Sequence, residues 1–214
     1  MKRTIKLSLL MVLLCAAMQH VTAQDVKQVF SSSETPIVYL GVDFTLAKLI
    51  DATEPALDVR DKSYPAINDL IVSEKKKYDV AAAFHRASME NDLSMVTKRN
   101  AKINAEEIKS NNQSDYNRLK EDDITKLVAG WDFAGKKGVG LIIVIEGMSK
   151  AKKGASMWVT LVDMGTNKVL MTERMEGETG MAFGFRNYWA NPIRDVINEI
   201  EKKKYNSWKA KYGG

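Results

Sequence analysis

The stretch GWDFAGK, Gly130 to Lys136, has the G-x-x-x-x-G-K spacing of a phosphate-binding loop. Such a loop cradles phosphates with backbone N–H groups and reaches them with its lysine. The chemistry needs three further things: a strand leading in, a helix leading out, and a Ser or Thr after the Lys to hold Mg²⁺. Here a helical pattern leads in, the strand-like run GVGLIIVIEG leads out, and Lys137 follows Lys136. All three conditions fail. The residues read instead as a helix C-cap at Gly130, a loop, and glycines that open a buried strand.

The other reactive side chains are few. The single cysteine is Cys15, and the two histidines are His20 and His85. His85, in AAAFHRAS, reads as a partly buried helix residue beside Phe84. With one imidazole and no thiol past residue 23, neither a transition-metal site nor a histidine-assisted nucleophile has its usual ligands or base. No metal or cofactor is expected. Glu121, Asp122 and Asp123 lack EF-hand spacing and read as a solvated helix face. A carboxylate pair for glycoside hydrolysis stays open, because such pairs meet only in three dimensions.

The segment GMAFGFRNYWANP, Gly180 to Pro192, packs four aromatics, Arg186 and two asparagines around a glycine turn that leads into a helix. As a binding site, helix N-terminal N–H groups and Arg186 would hold an anion or a partner carboxylate. As architecture, the aromatics would anchor the helix on a sheet. The residues singled out for binding are Arg186, Asn187, Tyr188 and Trp189. Lys150, Lys152 and Lys153 form a second candidate patch.

These residues need a scaffold. Residues 1–23 carry an early basic cluster, an apolar run and the small-residue site Val21-Thr22-Ala23, the pattern of a secretory signal peptide. Leu13 and Leu14 before Cys15 do not fit a lipidation site. Export, periplasmic or extracellular, is therefore expected. Residues 24–214 are expected to form a single α/β domain without a disulfide. The formal net charge of +5 falls to +2 once Lys2, Arg3 and Lys6 are set aside. Export and this near-balance argue against nucleic acid as a partner. No later apolar segment is long enough to span a bilayer.

Gln24–Thr35 reads as polar and loosely ordered. Ile37–Phe44 is a strand apolar on both faces, with Ile37, Tyr39 and Gly41 on one and Val38, Leu40, Val42 and Phe44 on the other. Ser63-Tyr64-Pro65 opens a helix. Asp79 caps a short helix over Val80–Met89. Leu93, Met95 and Val96 read as a strand-like piece, and Asn100–Asn117 as a loop or frayed helix. A helix runs from Tyr116 towards Gly130. Val139–Glu146 is the expected spine of the sheet, followed by the hairpin MWVTLVD–VLMTERME, whose second strand is wet on one face and lies at an edge. In the last helix, Pro192 either makes a kink or marks the start, with Asn191 as cap. The pattern is α/β (α+β): a three-layer mixed sheet of about five strands with packed helices and a long C-terminal helix.

YLGVDF, YPAINDLIVSEKKKYD and FGFRNYWANP together resemble a family of exported proteins of Bacteroides-type bacteria, over most of the chain after residue 23. That family brings no activity and so no catalytic residue. A more distant likeness is to the α/β domain found at the N-terminus of TolB and in the curli-secretion lipoprotein. It rests on Leu161, Val162, Asp163, Thr166, Val169 and Leu170 before the closing helix. The resemblance implies an envelope role in binding or assembly, with an envelope protein or a small ligand as partner and an oligomer possible. The alternatives are a carboxylate-dependent hydrolase and a small-anion or ligand binder at the glycine turn.

Overall fold

The computed structural model describes residues 25–214; the leader read at residues 1–23, with Cys15 and His20, lies outside them. Seven strands form one sheet: β1 Ile37–Asp43, β2 Lys48–Ile50, β3 Glu90–Asn91, β4 Lys109–Ser110, β5 Val139–Ser149, β6 Gly154–Asp163 and β7 Lys168–Glu178. β5 is the spine, as its sequence requires. β1 and then β2 run parallel along one flank of it, from Ile37 opposite Val139 to Ile50 opposite Ser149. β6 lies antiparallel on the other flank, and β7 pairs β6 at the edge. β3 and β4 extend the parallel side.

All eleven residues of β5 are buried, so both faces of the sheet must be covered. On one face lie α1 (Val26–Ser31), α2, α3 (Val80–Ala83) and α6. Helix α2 comprises Ala56–Asp58, the π-helical turn Val59–Ser63 and Tyr64–Ser73. Helix α6 comprises Phe185–Glu199, a second π-helical turn Ile200–Lys204 and Tyr205–Tyr212. Their Ile67, Ile71, Trp189, Ile193 and Val196 meet Tyr39, Ile143 and Ile145. On the other face α4 (Ser94–Asn100) and α5 (Glu121–Ala129) bring Val96, Ile124 and Val128 against Ile142, Val144 and Trp158. The mixed three-layer α/β arrangement is therefore present.

Several local readings change. Strict alternation puts Val42 and Phe44 with Leu40; in the structure they share the face of Tyr39. The cause is a register slip between Tyr39 and Gly41, which moves later side chains to the opposite face. Gly41 has φ +98°, and a Cβ there would lie 2.8 Å from Asn68 Oδ1 and from Val96. Two buried asparagines then take the place of a strand neighbour. Asn68 accepts from the Val42 N–H at 2.7 Å and donates to its carbonyl at 3.0 Å. Asn100 donates to the same carbonyl at 2.9 Å and accepts from the Phe44 N–H at 2.9 Å.

Residues 25–35 are not loose. Asp25 caps α1 through the Lys27 N–H, and Phe30 is buried among Tyr205, Trp208 and Tyr212. Six helical residues are too few to show a period. The helix expected at Ser63 begins at Ala56. Pro65 lies just after the π-helical turn, where the Tyr64 N–H donates to Val59. Asp79 caps α3 as expected, but α3 ends at Ala83 because His85 turns out at φ +51°, exposed and stacked on Tyr205 at 3.9 Å. Leu93–Val96 is not a strand: the short strand is Glu90–Asn91, and Ser94 opens a helix. Asn100–Asn117 holds two 3₁₀ turns and β4, pinned by buried Ile108 and Tyr116. Pro192 does not start α6; it sits inside it, and Asn191 donates to the Thr179 carbonyl instead of capping.

Candidate functional site

The segment after β7 is fastened on both sides and free between. Thr179 donates to the Lys153 carbonyl twice, from N at 2.9 Å and from Oγ1 at 3.1 Å. Its own carbonyl accepts from Asn191 Nδ2 at 2.7 Å, and the Glu178 N–H donates to Asp195 at 3.1 Å. Gly180 and Gly184 both have positive φ, +57° and +76°, a conformation glycine adopts without strain. Between them the chain loops outward. Met181 is 101% exposed and Phe183 94% exposed, so neither touches the core. A third exposed apolar side chain, Leu57 at 58%, stands at the start of α2. That segment is tied to the same turn by the Lys150–Glu54 ion pair at 2.6 Å. Three apolar side chains left in water thus lie on segments that meet at the Lys150–Lys153 turn.

The residues singled out from the sequence divide. Trp189 is core: it is buried, with Tyr188 edge-on at 5.0 Å and Phe185 at 6.2 Å. Tyr188 is half-buried against the same core. Asn187 shapes the turn, donating to the Phe183 carbonyl and accepting from Arg186 Nε, both at 3.3 Å. Arg186 is exposed, and Asn187 is its hydrogen-bond partner. Lys150 is neutralised by Glu54, Lys152 sits 4.8 Å over the Tyr116 ring, and Lys153 holds Thr179 through its carbonyl. The two patches, read separately in the sequence, are brought to one end of the sheet by the β6–β7 ladder, where Gly154 faces Glu178.

Composition alone does not mark Met181 or Leu57, and it places Phe183 with the anchoring aromatics; only the spacing of Phe183 betrays it. It lies two residues before Phe185, on the far side of a helix start, between glycines that free its backbone. Because Arg186 is exposed and its bond to the neighbouring Asn187 is a long, solvent-facing one at 3.3 Å, Arg186→Ala is expected to leave unfolding free energy within about 0.5 kcal/mol of the parent. Chemical denaturation checks this; a loss of more than about 2 kcal/mol would make the arginine architectural.

The Gly130–Lys136 stretch is a helix end and a loop. α5 leads in and β5 leaves. Lys136 pairs with Asp92, which, with Ser94 also donating to it, holds that carboxyl down at about 2. This loop and α4 border a cavity of about 580 Å³ whose charged lining is Lys98, Arg99, Lys102, Glu107, Asp132 and the Asp92-paired Lys136. Arg99 is bound to buried Asp43 at 3.0 Å and stacks 4.8 Å over Trp131. What remains is Lys98 and Lys102 against Glu107 and Asp132, a balanced set with no net field for a phosphate. The strand-like pattern of Leu93, Met95 and Val96 hides from the sequence that Lys98 stands on a helix, with Lys102 just past its end.

Two carboxylates are wholly buried in charged pairs. Asp43 accepts from Arg99 and from Thr45 N and Oγ1. Glu146 accepts from Arg174 Nε at 2.9 Å, Trp158 Nε1 at 3.0 Å, Ser156 Oγ at 3.2 Å and the Leu119 N–H. Both are buried away from solvent and held by an arginine, and Glu146 is ringed by donors on both oxygens, an arrangement that holds a fold together. Among the described residues no group of three or more His, Cys, Asp or Glu is placed to hold a metal ion. Nor is any described helix long and apolar enough to cross a membrane. Compared with protein-family models, with curated proteins and with solved structures, the chain has no match, so the geometry itself carries the functional reading.

Proposed function

We propose that this is an exported envelope protein that works by binding, without catalytic machinery of its own, and that its binding surface is the Gly180–Gly184 tip. The observation that carries the reading is the near-complete exposure of Met181 and Phe183 on a loop fastened at its base. Leaving a Phe and a Met in water forgoes roughly 1.5–3 kcal/mol of burial each. A chain that covers its other aromatics well has no folding reason to do so. The carboxylate-dependent hydrolase is the weaker reading, because Asp43 and Glu146 are locked by arginines. The export signal and the resemblance to envelope proteins support the location.

The test is a photo-crosslinking residue placed at Phe183 and, as control, at Lys126 on the exposed side of α5. In cells, position 183 is expected to give a discrete product with an envelope component, and position 126 none. No product from 183, or the same products from both, contradicts the reading.

A further inference from the structure

We infer that a cavity beside β3 binds a small uncharged molecule with an apolar body and a hydrogen-bond-accepting oxygen, such as a ketone or an ester. The inference does not depend on the tip. β3 and β7 are opposite edges of the sheet, with β1, β5 and β6 between them.

The chain makes the cavity where α2, α3 and the approach to β3 meet. α2 ends at Ser73, a turn carries the chain to Tyr78, and α3 starts at Val80. After α3, residues Ala87–Met89 bring the chain back to β3, which pairs with β1 at Tyr39. The space between these pieces is about 230 Å³. That is several times the roughly 30 Å³ one water occupies in the liquid. It is below the roughly 300–1,000 Å³ of sites for drug-sized ligands, so the occupant is small.

Two phenols line this space, Tyr39 of β1 and Tyr78. They are 1% and 2% exposed, and neither hydroxyl has a hydrogen-bond partner among the described residues. A buried tyrosine hydroxyl ordinarily finds one, because it has given up water on folding. Asn68 and Asn100, buried near the same strand, are each bonded at both amide atoms. Burial also holds the Tyr39 phenol above its ordinary range, so it keeps its proton and serves as a donor. The cavity therefore offers two hydroxyls that an acceptor oxygen can satisfy.

The rest of the lining sets the class of ligand. Ile71, Val72, Val80 and Met89 supply apolar wall, and Ser88 and Asn91 are polar but uncharged. The charged members are Lys75 and Asp79, one of each sign. Both are exposed, and Asp79 already accepts from the Ala82 N–H at 2.9 Å. No charge is buried beside the phenols. An ionic ligand would lose hydration there without a desolvated counter-charge. A neutral one would lay its apolar body on the aliphatic wall and accept from the phenols. Mostly apolar lining with a few placed polar groups is the usual make-up of a small-molecule site.

Residues 24–214, which contain the whole described fold, are to be methyl-labelled and titrated with four probes by NMR: acetophenone, toluene, benzoate and benzylamine. Acetophenone is expected to move the methyl signals of Ile71, Val72, Val80 and Met89 and to bind about tenfold more tightly than toluene, which has no acceptor. Benzoate and benzylamine should leave those signals in place. Tyr39→Phe with Tyr78→Phe should abolish the preference for acetophenone over toluene. It should leave the melting temperature at or above that of the parent, because no bond within the protein is lost. If none of the probes moves these signals, water alone satisfies the hydroxyls and the inference falls. It falls equally if toluene, benzoate or benzylamine binds as tightly as acetophenone, or if the double variant keeps the preference. A double variant that melts well below the parent also overturns it, since the hydroxyls would then be bonded within the fold.

Discussion

Arg174→Ala is expected to destabilise the protein by about 3 kcal/mol, the low end of the range for breaking a buried ion pair from one side. Glu146 has no exposed surface, and Arg174 supplies its one cation, at 2.9 Å. Removing the guanidinium leaves Ser156, Trp158 and Leu119 as neutral donors to a carboxylate with no exposed surface of its own. They soften the loss without replacing the charge. Arg174 also donates to the Leu119 carbonyl and lies 4.7 Å over the Trp158 ring, so its removal opens contacts on both sides. At this chain length such a loss lowers the melting temperature by roughly 6–12 °C. The control is the double variant Glu146→Gln with Arg174→Met, which keeps an acceptor for Trp158 and restores apolar volume. It should be more stable than Arg174→Ala, because the uncompensated charge is gone. A single variant as stable as the parent would mean that water reaches Glu146.

Gly177→Ala is expected to cost about 3 kcal/mol, the top of the ordinary overpacking range, because the obstacle is backbone. Gly177 faces Ala155 across the β6–β7 ladder, and α6 crosses directly over it. A Cβ there would run into the Pro192 carbonyl and lie 2.8 Å from Pro192 Cα. A side chain end can rotate aside; a helix backbone cannot. α6 would have to lift, taking Trp189, Ile193 and Val196 off the sheet. Gly180→Ala makes the comparison, since nothing lies nearer to its built Cβ than Asn191 Nδ2 at 3.9 Å. That change should cost only the roughly 1–2 kcal/mol of a left-handed alanine. Urea denaturation of the two variants ranks them, and equal losses would contradict the close approach of α6.

The sheet was legible where a strand was long and apolar on both faces. Val139–Glu146 declares itself as a spine, and Thr172, Arg174 and Glu176 declare β7 as an edge, because burial on two faces or one leaves a direct trace in residue type. Short elements left no such trace. α1 has six residues and β3 two, and what places them is distant: Phe30 on the C-terminal helix, Asn91 beside Tyr39. The slip at Gly41 reversed the faces of Val42 and Phe44, and alternation cannot foresee an extra residue. Pairing was invisible too. Glu146 in an apolar run demanded a partner, yet nothing local named Arg174, twenty-eight residues on.

The candidate site was half legible. Its composition drew attention to Arg186 and the aromatics after the glycine turn. Which aromatic anchors and which projects is a matter of helix phase and loop direction. Trp189 falls on the core side of α6 and Phe183 lies before α6 begins. The lysine turn joins the site only through a β-ladder and the hydrogen bonds of Thr179.

The most direct test is hydrogen–deuterium exchange of the protein with and without envelope membranes. Slowing confined to residues 180–186 and to the Lys150–Lys153 turn is the result expected here. Slowing centred on α4 and the Gly130–Lys136 loop, with the tip unchanged, would place the binding surface elsewhere and contradict the account.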